Sequence, residues 1–136
     1  MLECLILGDS IAKGISDVRA ECVAHVKSGI NSYDYVNRYV FHTQGDTQAK
    51  TIIISLGSND LKSTDTYEEL TTLRKLVKAD RVYWILPNIK EDKRKMVWMV
   101  AKENNDIVLD ARNYDRSPDH VHPTYKGYRS LANETR

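Results

Sequence analysis

The sequence has no surplus of either charge and no long hydrophobic run. Its 20 lysine and arginine residues nearly balance 19 aspartate and glutamate residues, which leaves a net charge of +1. A protein that binds nucleic acid is expected to carry a clear basic excess, so we predict no nucleic-acid partner. No apolar run approaches the roughly 20 residues that span a bilayer, so we also predict no membrane span.

Cysteine is scarce, and the first residues are not expected to form a secretion signal. Cys4 and Cys22 are the two cysteines and have no C-x-x-C spacing, so we predict buried free thiols and a reducing compartment. The first residues, MLECLILGDS, contain an acid at Glu3 and no basic segment before the apolar run, which is unlike a signal peptide. We therefore predict a protein that is cytoplasmic as synthesised. Its compactness is typical of a phage-encoded or virion-associated protein.

Repeats, low-complexity tracts and linkers are also missing. The 136 residues match the roughly 100–200 residues that usually form one core. We therefore predict a single domain over residues 1–136.

Short apolar runs predict five strands. Four are clear, over residues 2–7, 51–56, 81–86 and 106–109, and a weaker one covers residues 21–26. Uninterrupted hydrophobic strands are typical of parallel sheets that are covered on both faces.

Helical periods separate these strands. The apolar stripes are Ile11, Ile15, Val18 and Cys22; Val36, Tyr39 and Val40; Leu70, Leu73 and Val77; Val97, Val100 and Ala101; and Tyr128, Leu131 and Ala132. Strand and helix alternate, which predicts a three-layer α/β fold with a flavodoxin-like, five-stranded parallel sheet flanked by helices. Trp84 and Trp98 are predicted to be core residues.

Small, polar and reactive residues follow the predicted strands, where ligands of parallel sheets bind. They are Gly8-Asp9-Ser10, Ser28-Gly29-Ile30-Asn31, Gly57-Ser58-Asn59-Asp60 and Asp119-His120-Val121-His122-Pro123. A serine nucleophile needs a base, and the base needs an orienting partner. Ser10, His122 and Asp119 supply these three groups. A developing oxyanion needs preorganised donors, and the candidates are the N–H groups of Ser10 and Gly29 and the side-chain amide of Asn59.

These four segments resemble the four motif blocks of the SGNH hydrolases, also called the GDSL esterase/lipase family. They occur in the family's order and span nearly the whole chain, with Ile11 in place of the commoner leucine. The resemblance implies Ser10 as the nucleophile, His122 as the general base and Asp119 as its partner. It also implies Gly29 and Asn59 as oxyanion donors beside the Ser10 amide.

The expected activity is ester hydrolysis through an acyl-enzyme, without a metal or organic cofactor. The short chain leaves little room for a long acyl groove, which favours a small acyl group such as acetyl on a carbohydrate or another small ester. Thioesters and lysophospholipids are the alternative substrates.

Three other interpretations stay open at this stage. Gly8-Asp9-Ser10 and Gly57-Ser58-Asn59-Asp60 are also ordinary turn and helix-capping sequences. His120 and His122 could bind a metal ion, as in a metal-dependent phosphoesterase. The domain could also be a catalytically silent module for binding or assembly, because a fold does not imply a function.

Overall fold

The computed structural model describes residues 1–40 and 46–136 of the chain. Its centre is a five-stranded sheet in the order β2-β1-β3-β4-β5, in which every pair of neighbours is parallel. The strands are β1 (Leu2–Gly8), β2 (Val23–Val26), β3 (Ala49–Ser55), β4 (Arg81–Leu86) and β5 (Ile107–Asp110). This is the predicted flavodoxin-like sheet, and each strand lies within a few residues of its predicted bounds.

Helices cover both faces of the sheet. One layer contains α1 (Ser10–Val18) and α5 (Tyr125–Glu134). The other contains α3 (Thr66–Leu76), α4 (Glu91–Glu103) and the short helix α2 (Ser32–Asp34). α2 continues as one turn of π-helix over Tyr35–Tyr39, and a 3₁₀ turn over Ala111–Asn113 follows β5.

The alternation of side chains along each strand divides the core into two clusters. Leu5 and Leu7 of β1 pack toward the α3 and α4 layer, whereas Ile6 packs with Ile11 and Leu131 in the α1 and α5 layer. Both clusters are buried, which explains why apolar and polar residues do not alternate along the central strands. Within the described part of the chain, none of the helices combines the length and apolar character needed to cross a bilayer.

The prediction of free thiols is wrong, because Cys4 and Cys22 form a disulfide bond. α1 ends at Val18, so Cys22 lies in the loop before β2 rather than on the helical stripe that the sequence predicted. This loop brings its Cα atom to 4.8 Å from that of Cys4. The cysteines therefore no longer support a reducing compartment.

The two tryptophans differ in their environment. Trp84 of β4 is completely buried, as predicted, and its indole N–H donates to Asp106 at 2.8 Å. Trp98 is not a core residue, since it lies on the outer face of α4 with 47% of its surface exposed. The apolar stripe of α4 consists of Val97, Val100 and Ala101, which are fully buried as predicted.

Candidate active site

The turn between β1 and α1 places Ser10 at the carboxyl edge of the sheet. β1 ends at Gly8, whose φ of 139° lies in a region that favours glycine. A Cβ atom on Gly8 would overlap the carbonyl oxygen of Ser55 in β3, so the two strands can approach this closely only at a glycine. The N–H of Asp9 donates to the same carbonyl at 3.0 Å, and Ser10 follows as the first residue of α1.

Asp9 caps α1 from inside the protein. Its Oδ1 accepts the N–H of Ile11 at 3.0 Å and the hydroxyl of Ser55 at 3.2 Å. Its Oδ2 is buried and has no hydrogen-bond partner within the described residues. Burial outweighs these hydrogen bonds and raises the pKa of Asp9 to about 6. Because Asp9 is the cap, the hydroxyl of Ser10 is available for another contact.

The hydroxyl of Ser10 contacts His122, and His122 contacts Asp119. The distance from Ser10 Oγ to His122 Nε2 is 2.7 Å, and that from His122 Nδ1 to Asp119 Oδ2 is 2.8 Å. A carboxylate can only accept, so Nδ1 carries the proton of the neutral imidazole and Nε2 accepts the Ser10 hydroxyl. The structure thus joins the three predicted catalytic residues in one chain of hydrogen bonds.

The second oxygen of Asp119 shapes the turn that carries the histidine. Asp119 Oδ1 accepts the N–H of Val121 at 2.8 Å and that of His122 at 3.0 Å. The hydrogen bond from the His122 side chain, aided by these two N–H groups, holds the pKa of Asp119 well below its usual range. One carboxylate therefore orients the imidazole ring and also fixes the backbone beneath it.

Gly29 and Asn59, the predicted oxyanion donors from the loops after β2 and β3, are connected through a hydrogen bond between these loops. The amide of Asn59 donates to the carbonyl oxygen of Ile30 at 3.0 Å, and Ile30 directly follows Gly29. This contact uses one of the two amide hydrogens of Asn59, and the other has no partner within the described residues. Gly29 has a φ of 81° and open space where a Cβ atom would lie. Among the described residues, neither Gly29 nor Asn59 is hydrogen-bonded to Ser10.

Asp60 is a supporting residue whose role the sequence did not reveal. Its buried carboxylate accepts the N–H of Ser32 and the hydroxyl of Thr66, each at 2.7 Å. Its carbonyl oxygen accepts the ammonium of Lys90 at 2.8 Å. These contacts join the loop of Asn59 to the starts of α2 and α3 and to the loop after β4, so they fix the position of Asn59.

Asn88 is a second supporting residue that sequence reasoning missed. It follows β4 at the same edge of the sheet and is 3% exposed, and its amide donates to the carbonyl oxygen of Val121 at 2.7 Å. Val121 immediately precedes His122, so Asn88 holds the turn that carries the histidine. The available signal was its position after a predicted strand, where the other site residues also occur.

The residues of this site do not form a set of metal ligands. Within residues 1–40 and 46–136, the single group of three possible ligands close enough to share an ion is Cys4, Glu21 and Cys22, and its two sulfur atoms form the disulfide. His120 is an exposed turn residue with a φ of 59°. The nitrogen atoms of His122 are both engaged, with Ser10 and Asp119.

Comparison with known proteins identifies the fold. No protein-family model and no curated protein matches the sequence. A member of the lipolytic G-D-S-L family from Veillonella parvula superposes with a TM-score of 0.65 over 98% of this chain and 96% of that chain, at 18% identity. The esterase EstA from a Pseudoalteromonas species gives 0.64 over 99% and 96%, also at 18% identity. A carbohydrate acetylesterase family member from Sinorhizobium meliloti gives 0.64 over 96% and 94%, at 14% identity.

These similarities extend over nearly the full length of each chain. The protein therefore has the fold of the GDSL, or SGNH, acylhydrolases and acetylesterases. The identities are low, so these similarities show the fold and not the activity.

Proposed function

We propose that the protein is a serine ester hydrolase that removes a small acyl group, with Ser10 as the nucleophile. The observation that supports this most directly is the chain of hydrogen bonds from Ser10 through His122 to Asp119. This arrangement activates a hydroxyl group that is otherwise a weak nucleophile. Its location at the carboxyl edge of a parallel sheet, on the fold of known esterases, agrees with the same activity.

The first half of the reaction acylates Ser10. The Ser10 oxygen bonds to the ester carbonyl carbon while its proton moves to His122 Nε2. The tetrahedral intermediate then breaks the bond to the alcohol oxygen, and His122 returns the proton to the departing alcohol. The carboxylate of Asp119 stabilises the imidazolium ion that exists between these two transfers.

The second half releases the acid. His122 accepts a proton from water as the water oxygen attacks the acyl carbon, and the bond to Ser10 Oγ breaks as the proton returns to that oxygen. In both halves the negative carbonyl oxygen needs donors, which the N–H groups of Ser10 and Gly29 and the amide of Asn59 would provide. The N-terminus of α1 adds a favourable partial positive charge beside Ser10.

A small acyl group, such as acetyl on a carbohydrate, is the substrate that we favour. The pocket beside Gly29 has a volume of about 410 Å³ and is lined partly by charged side chains, which suits a polar substrate better than a long alkyl chain. Solved structures with this fold include the Sinorhizobium meliloti carbohydrate acetylesterase family member and a peptidoglycan O-acetyltransferase domain from Streptococcus pneumoniae, which superposes with a TM-score of 0.61.

The nucleophile is tested by Ser10→Ala on a series of 4-nitrophenyl esters of increasing acyl length. We expect the variant to lose at least about a thousandfold in kcat/KM, because the members of such a triad act as a unit. A fluorophosphonate should label Ser10 in the parent protein. Ser16→Ala is the matched control, since Ser16 lies on the same helix and its half-buried hydroxyl donates to the carbonyl oxygen of Lys13. An active Ser10→Ala variant, or labelling at another residue, would overturn the mechanism.

The same assay distinguishes the other interpretations. A catalytically silent module would hydrolyse none of the esters and would not be labelled. A metal-dependent phosphoesterase would lose its activity after EDTA dialysis and regain it with Mn²⁺ or Zn²⁺. We expect ester turnover that is unchanged by EDTA and greatest with the acetyl ester.

A further inference from the structure

A pocket of about 410 Å³ opens beside Gly29 at the edge of the sheet formed by β2. Its walls come from the loop after β2 and from the helical segment that follows this loop. The lining residues are Lys27, Ser28, Gly29, Ile30, Asp34, Arg38 and Tyr39.

This pocket adjoins the turn that carries the nucleophile. The backbone N–H of Lys27 donates to the carbonyl oxygen of Gly8 at 2.9 Å, two residues before Ser10. Gly29 forms part of the pocket wall, and the space beside its Cα atom is open. A substrate whose carbonyl oxygen reaches Gly29 could therefore extend into the pocket.

The side chains around the pocket leave an excess of positive charge. Within the described residues, no acidic group pairs with the exposed ammonium of Lys27. Arg38 makes one long ion pair with Asp34, at 3.7 Å, and its side chain is 75% exposed. Such exposed pairs are weak, so the guanidinium of Arg38 can bind a ligand while losing little interaction energy with Asp34.

The remaining wall is aromatic and held in place. The hydroxyl of Tyr39 donates to the carbonyl oxygen of Val26 at 3.0 Å, and its ring lies 5.2 Å from that of Tyr35. The Tyr35 hydroxyl in turn donates to the carbonyl oxygen of His25 at 2.7 Å. A fixed tyrosine beside two cations is a suitable surface for a polar ring that carries an anionic group.

We propose that this pocket binds an anionic group of the substrate, so that the preferred substrates are acylated carbohydrates that carry a carboxylate or a phosphate. The proposal rests on the proposed ester hydrolase function and names its substrate class. Lys27 supplies a mobile point charge, and Arg38 supplies a planar donor pair that matches two oxygens of either group.

The test compares three acetylated sugars that differ only at carbon 6. They are an acetylated glucoside, the corresponding glucuronide and the corresponding 6-phosphate, and the readout is the ratio of kcat/KM for each anionic sugar to that for the neutral one. We expect the ratio to be about 10 in the parent protein and near 1 in the Lys27→Ala, Arg38→Ala double variant. It should also fall at high ionic strength, because salt screens exposed charges. Comparison of the glucuronide with the 6-phosphate shows whether the pocket prefers a carboxylate or a phosphate.

Lys50→Ala is the matched control. Lys50 is an exposed lysine near the amino end of β3, the central strand, where it pairs with Glu3 at 3.0 Å, so its removal should leave the ratio unchanged. A parent ratio near 1, or an equal ratio in the parent and the double variant, would overturn the anionic pocket while leaving the hydrolase intact.

Binding of free glucuronate and glucose 6-phosphate separates this proposal from the catalytic one. In amide NMR spectra of the parent protein, we expect either anion to shift the signals of Lys27, Gly29 and Arg38, and the double variant to lose these shifts. Such shifts without turnover of any ester would support the pocket and overturn the hydrolase function. Ester turnover without these shifts would support the hydrolase function and overturn the anionic pocket.

Discussion

Two carboxyl groups near Ser10 have opposite environments. Asp119 is exposed, and the hydrogen bond from the His122 side chain holds its pKa well below its usual range. Asp9 is fully buried, and its pKa rises to about 6. Asp119 therefore stays ionised at any ordinary assay pH, as a partner of an imidazolium ion must, whereas Asp9 changes its charge near pH 6 inside the protein.

The buried Asp9 predicts a stability that depends on pH. The folded pKa of about 6 exceeds the ordinary value of 3.8, so between these values the folded protein holds a proton that the unfolded chain has lost. The free energy of unfolding should therefore fall by about 2 kcal/mol as pH rises from 4 to 6, relative to Asp9→Asn. Urea unfolding of both proteins at several pH values measures this difference.

Other carboxylates also titrate in this range, but their contributions to the free energy of unfolding are the same in the parent protein and in Asp9→Asn. These contributions therefore cancel in the difference between the two proteins. The control is Asp17→Asn, because Asp17 is an exposed residue whose ion pair with Lys13, at 3.4 Å, is weak. Its stability should change with pH in parallel with that of the parent protein. Parallel curves for Asp9→Asn as well would contradict the prediction.

Asn59 is predicted to act on the chemical step. If its free amide hydrogen binds the developing oxyanion, Asn59→Ala should lower kcat by about a hundredfold to a thousandfold, or roughly 2.7–4 kcal/mol. KM should change little, because the ground-state carbonyl gains less from this donor. Kinetics and melting temperature are measured on Asn59→Ala, Asn59→Asp and Asn59→Gly.

A purely structural Asn59 would give another pattern. Its hydrogen bond to Ile30 also stabilises the loop, so a lower melting temperature by itself decides nothing. A normal kcat per folded molecule in Asn59→Ala would remove Asn59 from the site. An Asn59→Asp variant at least as impaired as Asn59→Ala would support the donor role, since a carboxylate repels the oxyanion.

At the scale of elements, hydrogen bonds connect three loops at the carboxyl edge of the sheet. Lys90, in the loop after β4, donates to Asp60 in the loop after β3. Asn88 in the same loop donates to Val121 in the turn before α5. The segment after β4 therefore connects the candidate oxyanion loop with the turn that carries His122.

This connection predicts an effect of Asn88 on the rate without direct contact with the substrate. Asn88→Ala removes the hydrogen bond to Val121, which frees the turn and disturbs the approach of His122 to Ser10. We expect kcat to fall by about tenfold to a hundredfold with a smaller change in KM, because small misplacements of catalytic groups are costly. Steady-state kinetics and the rate of fluorophosphonate labelling measure the effect.

Asn37→Ala is the matched control, because Asn37 is an exposed amide that donates to Tyr33 and Glu69. Asn37→Ala removes hydrogen bonds to two residues, neither of which lies in the turn that carries His122. Equal kinetics in the two variants, after correction for the folded fraction, would show that Asn88 has only a structural role.

At the scale of the whole molecule, the disulfide and the site lie at opposite ends of β1. Cys4 is near the amino end of the strand, where it is bonded to Cys22, and Ser10 follows the carboxyl end. The bond closes a loop with a sequence separation of 18 residues. A cross-link of this size restricts the unfolded chain and stabilises the fold.

Removal of the disulfide is predicted to lower stability but not activity. The Cys4→Ser, Cys22→Ser double variant should lose about 3 kcal/mol in the free energy of unfolding, or roughly 10 °C in melting temperature. Its kcat/KM at 25 °C should match that of the parent protein. Dithiothreitol should lower the melting temperature of the parent protein and leave that of the double variant unchanged. Two titratable thiols in the denatured, unreduced protein would contradict the bond.

The sequence by itself determined the strands and the residue types at their ends. Continuous apolar runs such as residues 51–56 are typical of strands that are covered on both faces, so they predicted a parallel sheet. The alternation of strands with helices, joined by right-handed crossovers, predicted its flavodoxin-like order. Ser10 comes just after β1, and Asp119 and His122 lie in the segment between β5 and α5, which made the three residues recognisable as candidates before their distances were known.

The tertiary structure decided the contacts between residues that are distant along the chain. Cys22 pairs with Cys4 because α1 stops at Val18, and no periodicity in the sequence marks that stop. Asp60 and Asn88 support the site through hydrogen bonds to other loops, and such contacts leave no pattern in the order of residues. Local periodicity reports which face of an element is apolar, whereas the partner of a polar group depends on how the loops meet.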